Sequence, residues 1–300
     1  MIPFTQEPVF FLHVGNLTIP SFVPVNYPGG DKKTLQSFGD EWQKFQNIPA
    51  KDLQIAFDQY FDIVPENSLT KETVVLDIGC GSGRWSALLA DRVGRIEAVD
   101  PGPAAGVAAR QLSAYKNIRV TQTGFGCLPF APGSFDFVFC LGVVHHVPDP
   151  SIAIRETAEM LRTGGRLLLY VYYDLSWRNP FYRFLFQISK VLNRIIFPLP
   201  RRMKFILSDF MTIFASGPFV LFAKICRFSS PKNFWWKRLP LGYYADKSWR
   251  IIRNDSLDRF GTPPVHRFSK EEIEQMLVQA GYREIKFSNE APWWHVTAIK

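Results

Sequence analysis

Cysteine is scarce in this 300-residue chain. The four present, Cys80, Cys127, Cys140 and Cys226, form no C-x-x-C pair. That argues against a disulfide framework or a zinc cluster and for buried thiols in a reducing compartment, so no metal site is expected. A basic leader is also missing. Met1-Ile2-Pro3-Phe4 carries no positive charge beyond the terminus, and prolines and His13 break the early apolar run, which predicts a cytoplasmic protein. Long apolar runs are short as well. Residues 210–223 are uncharged for 14 positions and contain Gly217-Pro218, whereas about 20 apolar residues are needed to span a bilayer. The expectation is a helix broken at the Gly-Pro that lies on a surface and does not cross one. Neither internal repeats nor low-complexity tracts occur, and the length suffices for a sizeable core.

Acidic residues are nearly missing from one segment. Residues 175–250 hold 14 Lys and Arg against 2 Asp and Glu, a net of +12, while the other 224 residues hold 21 against 25, a net of −4. The same 76 residues include 18 aromatics. Basic side chains mixed with Trp and Phe suit anionic headgroups. Peripheral contact with the inner membrane face through 175–250 is therefore one expectation, and a helical lid with its arginines in solvent is the other. Nucleic acid is a poorer match, because the apolar content is too high for a solvated phosphate groove.

What the chain does have is a glycine turn. Val74-Val75-Leu76-Asp77-Ile78-Gly79-Cys80-Gly81-Ser82-Gly83-Arg84 joins a buried strand to a helix, with backbone exposed at the turn for a ligand. Asp100 closes a second apolar strand and sets a carboxylate beside that turn, where acids commonly take the two hydroxyls of an adenosine ribose. The spacing is G-x-G-x-G, unlike the G-x-G-x-x-G of dinucleotide sites, whose third glycine packs a helix end toward a pyrophosphate. Asp77 would repel a pyrophosphate. It suits a ligand with positive charge, such as the ammonium and sulfonium of S-adenosylmethionine.

This turn resembles the first motif of the class I S-adenosylmethionine-dependent methyltransferases, and three later segments resemble the family in order. Leu128-Pro129-Phe130 runs through Ser134-Phe135-Asp136 into a strand; Gly142–Pro150, with His145-His146, is similar to the loop after the fourth strand; Leu161–Leu169 is similar to the helix end, glycine turn and fifth strand. Together they cover residues 73–173. The resemblance implies an α/β fold: a doubly wound, Rossmann-like seven-stranded sheet with an antiparallel last strand, here with a helical insert after strand five. It implies S-adenosylmethionine as cofactor, contacted by Asp77, Gly79, Cys80, Gly81, Gly83, Asp100, Pro101, Gly124, Phe125 and Leu141. There is one departure. Many relatives hold a Gly-Asp pair shortly before the LPF leucine, its acid meeting the adenine amino group. This chain has Thr123-Gly124, which leaves a backbone amide near Phe125 and apolar packing to hold the base.

The chain divides into an N-terminal extension (1–72), the core (73–173), the insert (174–250) and a closing segment (251–300). Helices are expected over 34–45, 51–61, 180–197 and 202–228. The F-G-x-E-W pattern ending at Trp42 resembles a segment that precedes the core in methyltransferases acting on sugars or surface-polymer precursors. Packing of Phe38, Trp42 and Phe45 on the core is equally open. Residues 254–268 read as an ordered loop because of Gly261, Pro263 and Pro264, with Asp258, Arg259 and His266 as acceptor contacts. Ser269 with Glu272 signals a capping box at the start of the last helix, and Gly281 signals its end.

A hydroxyl acceptor needs help losing its proton. His146, and after it His145, lie at the end of strand four beside the expected methyl position, and His is the usual base near neutral pH. A structural role for the pair competes with that one. Tyr172, Tyr173 and His295 are further pocket candidates. The leading expectation is O-methylation of a small-molecule sugar or a lipid-linked surface-polymer precursor. The alternatives are C- or O-methylation of a quinone-like aromatic, and a non-catalytic cofactor-binding interaction protein.

Overall fold

The computed structural model describes residues 1–30, 32–44, 49–175, 180–229, 235–236, 239–261, 265–290, 292 and 294–300. Phe45, Pro263, Pro264 and Trp293 lie outside the described residues. Contacts divide the chain into two compact units, one of residues 1–46, 53–174 and 265–300 and one of residues 47–52 and 175–264.

The first unit opens with a hairpin, β1 (Phe10–Val14) and β2 (Leu17–Ser21), followed by α1 (Lys32–Lys44) and α2 (Ala50–Tyr60). Strands and helices then alternate: β3 (Val74–Ile78), α3 (Arg84–Leu89), β4 (Arg95–Val99), α4 (Ala104–Leu112), β5 (Ile118–Thr121), β6 (Phe135–Leu141), α5 (Pro150–Met160) and β7 (Leu161–Tyr170). The second unit contributes α6 (Pro180–Ile196), α7 (Arg201–Met211), α8 (Gly217–Ser229) and α9 (Trp249–Gly261). The chain returns to the first unit with α10 (Lys270–Gln279), β8 (Arg283–Phe287) and β9 (His295–Ile299).

Seven strands pair in the order β5-β4-β3-β6-β7-β9-β8. All neighbours are parallel except those of β9, which runs antiparallel to both β7 and β8. The expected doubly wound sheet with an antiparallel last strand is what forms. Its central strands read as nearly unbroken apolar runs because both faces are covered. Leu76, Ile78, Val138, Cys140, Leu167 and Leu169 point to the side that packs Ile154 and Ile273 of α5 and α10. Val75, Phe137, Phe139 and Leu168 point to the side that packs Phe57, Leu89 and Leu112 of α2, α3 and α4.

The N-terminal hairpin protects an edge of this sheet. Phe22 N–H donates to Gln122 O at 2.9 Å, and Gln122 N–H donates to Pro20 O at 2.9 Å, so a strand row exposed beyond β5 is occupied from within the chain. Glu97 on β4 is fully buried and accepts from Arg119 Nε at 2.7 Å and from Ile2 N–H at 2.9 Å. That ties the first residues to the same edge.

Two expectations about the second unit are corrected. Gly217-Pro218 does not break the helix. Helical backbone continues from α7 through a single π turn at Thr212–Ser216 into α8, with Gly217 N–H reaching Thr212 O. Pro218 then falls in the first turn after the widened segment, where its missing donor conflicts least with the ladder. As a result Arg202–Ser229, at 28 residues, is long and apolar enough to cross a membrane. The expected loop over 254–268 is also helical up to Gly261. Ile252, Leu257 and Phe260 give α9 a buried side, and Gly261 stands at its last position.

The capping box at the start of α10 is formed as its sequence predicts. Ser269 N–H donates to Glu272 Oε2 at 2.7 Å, Glu272 N–H donates to Ser269 Oγ at 3.2 Å, and Gly281 takes φ +88° beyond the helix end. Ser269→Ala removes the acceptor for the Glu272 N–H and is expected to cost about 1 kcal/mol of unfolding free energy, measured by denaturant titration. A change below a few tenths would show that the cap is dispensable.

Candidate active site

The turn after β3 is built so that only glycine fits. Gly79 and Gly83 hold φ of +76° and +80°, and a Cβ on them would lie 2.2 Å from Val143 Cγ2 and 2.5 Å from Leu112 Cδ1. Such φ values disfavour any L side chain. Its N–H groups are already committed. Gly79 and Cys80 both donate to Val99 O, at 2.8 and 2.9 Å, Gly83 donates to Cys80 O at 2.8 Å, and Gly81 donates to Asp100 Oδ2 at 3.2 Å. A pyrophosphate cradle needs free N–H groups at this place; this turn offers carboxylates.

Asp77 and Asp100 are those carboxylates. Asp77 is 2% exposed and accepts from Ser86 Oγ of α3 at 2.6 Å. Burial pushes its carboxyl up to about 8, the Ser86 hydrogen bond opposing that rise and Asp100 adding to it. Asp100 accepts from Gly102 N–H at 2.8 Å as well as from Gly81, and burial raises it to about 6. Two buried acids raised in this way favour a ligand that brings positive charge. Each Asp100 oxygen accepts one N–H and keeps lone-pair capacity for hydroxyls.

The remaining proposed cofactor contacts surround the turn. Pro101 packs beside Gly124, whose Cβ position lies 3.1 Å from Pro101 Cγ; Phe125 is buried; Leu141 is half-buried at the end of β6. The same Cβ position on Gly124 lies 2.4 Å from the hydroxyl of Tyr27. Thus a tyrosine from the N-terminal extension stands where the adenine acid of many relatives is lacking. Burial drives its pKa upward, with Cys127 and Asp100 adding to the rise, so it stays a neutral phenol. Tyr27 was not legible as a site residue; Tyr27-Pro28-Gly29-Gly30 reads only as a turn. A second contribution from the extension is Trp42, over Gly81, with the Arg84 guanidinium 4.5 Å from both the Trp42 and Trp85 rings.

Next to the glycine turn, across the Val143–Gly79 contact, the loop after β6 presents its two histidines. His145 is fully buried, stacked on Tyr172 at 3.9 Å, and its Nδ1 accepts from Tyr172 N–H at 3.3 Å. Burial, with neighbouring His146 and Arg267, holds it well below its ordinary pKa. With Nδ1 occupied and its ring enclosed, His145 is placed as a packing residue. His146 is half-buried and meets Phe38 edge-on at 4.6 Å. Burial first, and then His266, depress it below the usual imidazole range. His266 reaches the group through its own N–H, which donates to His145 O at 3.1 Å.

The structure therefore brings together His145, His146, Tyr172 and His266. It adds Arg267, whose guanidinium lies 5.2 Å from the Tyr172 ring and which donates to Tyr173 O at 3.0 Å. Tyr173 itself turns toward Trp294, at 6.0 Å. Asp258 and Arg259 lie on α9 in the second unit, so the argument that placed them on a contact loop no longer holds. Both ring nitrogens of His295 face acceptors, Pro292 O and Asp62 Oδ1, the latter at 2.7 Å. Neither is available to take a substrate proton, and His295 serves as a structural tie. Among the described residues no cluster of His, Cys, Asp and Glu would hold a metal ion, and all four cysteines are free thiols.

Comparison with known proteins places this geometry. Residues 76–169 match the family described as Methyltransferase domain. Over 98 residues the chain is 38% identical to a ubiquinone biosynthesis O-methyltransferase of Xanthomonas euvesicatoria pv. vesicatoria (strain 85-10), covering 32% of this chain and 41% of that protein. Over 109 residues it is 37% identical to the protein of the same name from Pseudomonas fluorescens (strain Pf0-1), covering 35% and 45%. The chain thus spans less than half the length of these relatives. Among solved structures, a SAM dependent methyltransferase from Aquifex aeolicus is 13% identical with a TM-score of 0.46, over 86% of this chain and 96% of that one.

The buried acid gives a signed prediction. Asp77 keeps its proton up to about 8 when folded and loses it near its ordinary 3.8 when unfolded. Between those values the folded state binds more protons, so this group's contribution to stability falls as pH rises. Asp77→Asn removes that dependence. In the ligand-free protein the variant's denaturation midpoint should gain on the native one steadily from pH 5 to pH 8; a pH-independent gap would mean that the carboxyl is ionised in the fold.

Proposed function

We propose that this chain, whose residues 76–169 form a class I methyltransferase domain, transfers the methyl group of S-adenosylmethionine to an oxygen of a quinone-like aromatic acceptor. The reading is carried by one juxtaposition. The acid-lined glycine turn after β3 and the His146 ring after β6 stand on adjoining loops of neighbouring strands, joined by the Val143–Gly79 contact. The acceptor class is supported by the names of the two relatives, and it displaces the sugar or lipid-linked precursor as the leading reading. Phe38, Tyr172 and the two imidazoles offer ring faces and edges, which suit a flat aromatic better than a sugar.

The bound cosubstrate supplies an electrophilic methyl carbon whose leaving group is a neutral thioether. The protein's part is alignment and exclusion of water. Asp77 sets negative charge against the cationic end of the ligand, and Asp100 accepts from the ribose hydroxyls. The Tyr27 hydroxyl and the Phe125 backbone hold the adenine edge in place of the missing acid. His146 is neutral at neutral pH and takes the acceptor's O–H proton as the new carbon–oxygen bond forms and the carbon–sulfur pair leaves with sulfur. A phenolic hydroxyl with a pKa of about 10 needs less help than an alcohol, so a depressed imidazole suffices.

Calorimetry with S-adenosylmethionine and S-adenosylhomocysteine, followed by label transfer from the methyl-labelled donor to catechols, quinols and sugar extracts, tests the reading. Asp100→Ala should weaken binding at least about tenfold, and Tyr27→Phe about two- to tenfold, the worth of one neutral hydrogen bond. His146→Ala should cut turnover about a hundredfold with affinity nearly intact. Label in sugars alone would overturn the acceptor class, and absence of binding would overturn the reaction.

A further inference from the structure

The second unit is inside-out for a water-soluble fold. Along α7, the π turn and α8, the packed positions are Ser208, Thr212, Ser216, Val220, Ala223 and Cys226. The exposed positions include Ile206, Phe210, Phe214, Phe222 and Phe228, which are 53% to 91% exposed. Helix α6 repeats the arrangement. Phe181, Phe184, Ile188, Val191 and Ile195 are all exposed and follow three- and four-residue steps along one stripe, while Asn193 is buried and donates to Arg259 O at 3.0 Å. Small and polar residues between helices with large apolar residues outside is the pattern of helices facing lipid. In water such a continuous apolar surface is a liability unless something covers it.

Charge identifies the cover. Residues 180–229 carry eight Lys and Arg and a single acid, Asp209, which is bound to Arg253 by two hydrogen bonds of 3.0 and 2.6 Å. Arg183, Lys190 and Arg194 are exposed on α6 and follow one row about a third of a turn from the apolar stripe. Their stems can lie along the apolar surface with their heads at phosphate level. A second copy of a face so positive would repel it; an anionic bilayer would not.

We propose that α6 and α7–α8 lie in the plane of an anionic bilayer leaflet, with their apolar stripes in the acyl region and the flanking cations at the headgroups. The pair does not cross. Helices α6 and α7 both pack on α9, which bears Arg250, Arg253, Asp255 and Arg259, and a crossing would carry those charges into hydrocarbon. The inference is independent of the acceptor and of methyl transfer.

Flotation of the purified full-length chain with vesicles of pure phosphatidylcholine, and of phosphatidylcholine with 30% phosphatidylglycerol, tests it. The chain should float with the anionic vesicles at least about tenfold better and be released by washing at alkaline pH. Phe184→Ser with Ile188→Ser, and separately Phe210→Ser with Phe214→Ser, should each reduce flotation about tenfold or more. Arg183→Glu with Lys190→Glu should abolish the anionic preference without loss of thermal midpoint, which shows that folding is intact. No flotation at low salt overturns the proposal. So does resistance to alkaline extraction, which would mean crossing, and so does a stable dimer dissolved by the same Phe→Ser changes, which would name a second copy as the occupant.

Discussion

A carboxylate held out of water imposes its terms on the core. Asp77 sits near the end of β3 with one hydroxyl, Ser86, as its hydrogen-bond partner, and a buried acid without a cation is costly. Keeping it there requires α3 to begin immediately after the turn so that Ser86 can reach back. That in turn forces three positive-φ residues into five positions, from Gly79 to Gly83. The close approach of Val143 and Leu112 follows from the same tightness, and with it the placement of the loop that bears His146. The seven strands supply rigidity; the acid decides where the flanking loops converge.

The two units solve opposite packing problems. In the first, apolar strand faces are covered on both sides and the polar residues that are buried have named partners, as Glu97 has in Arg119 and Ile2. In the second, polar side chains face inward and phenylalanines outward. One rule governs both: a side chain's place is set by the medium on the other side of the backbone. The charge asymmetry along the chain follows the same division.

Much of the first unit was legible because its signals are local. Leu76–Gly83 and Ser269–Glu272 each specify a backbone geometry within a few residues, and the apolar runs of β6 and β7 announce strands covered on both sides. The contributions of Tyr27, Asp62 and Arg267 were not legible. Each acts through a partner roughly a hundred residues or more away, and no local pattern marks such a pairing. The reading of 254–268 as a loop failed because Gly261 and the prolines were taken to interrupt a segment that they follow. The Gly217-Pro218 break failed because a π turn absorbs what a regular α-helix would not tolerate.

That π turn has a consequence for how this sequence can change. Ser208, Thr212, Ser216 and Val220 are spaced by four, and each such step gains about 40° in a regular α-helix. Widening the ladder at Thr212–Ser216 cancels the drift and keeps all four on one side. In effect the helix stores a one-residue insertion. Loss of any residue between 212 and 216 would leave composition almost untouched yet turn everything downstream by about 100°. Phe222 and Phe228 would trade places with smaller neighbours such as Ala223 and Cys226. This stretch should therefore drift freely by substitution among apolar residues while resisting change in length, the opposite of the tolerance usual for a surface segment.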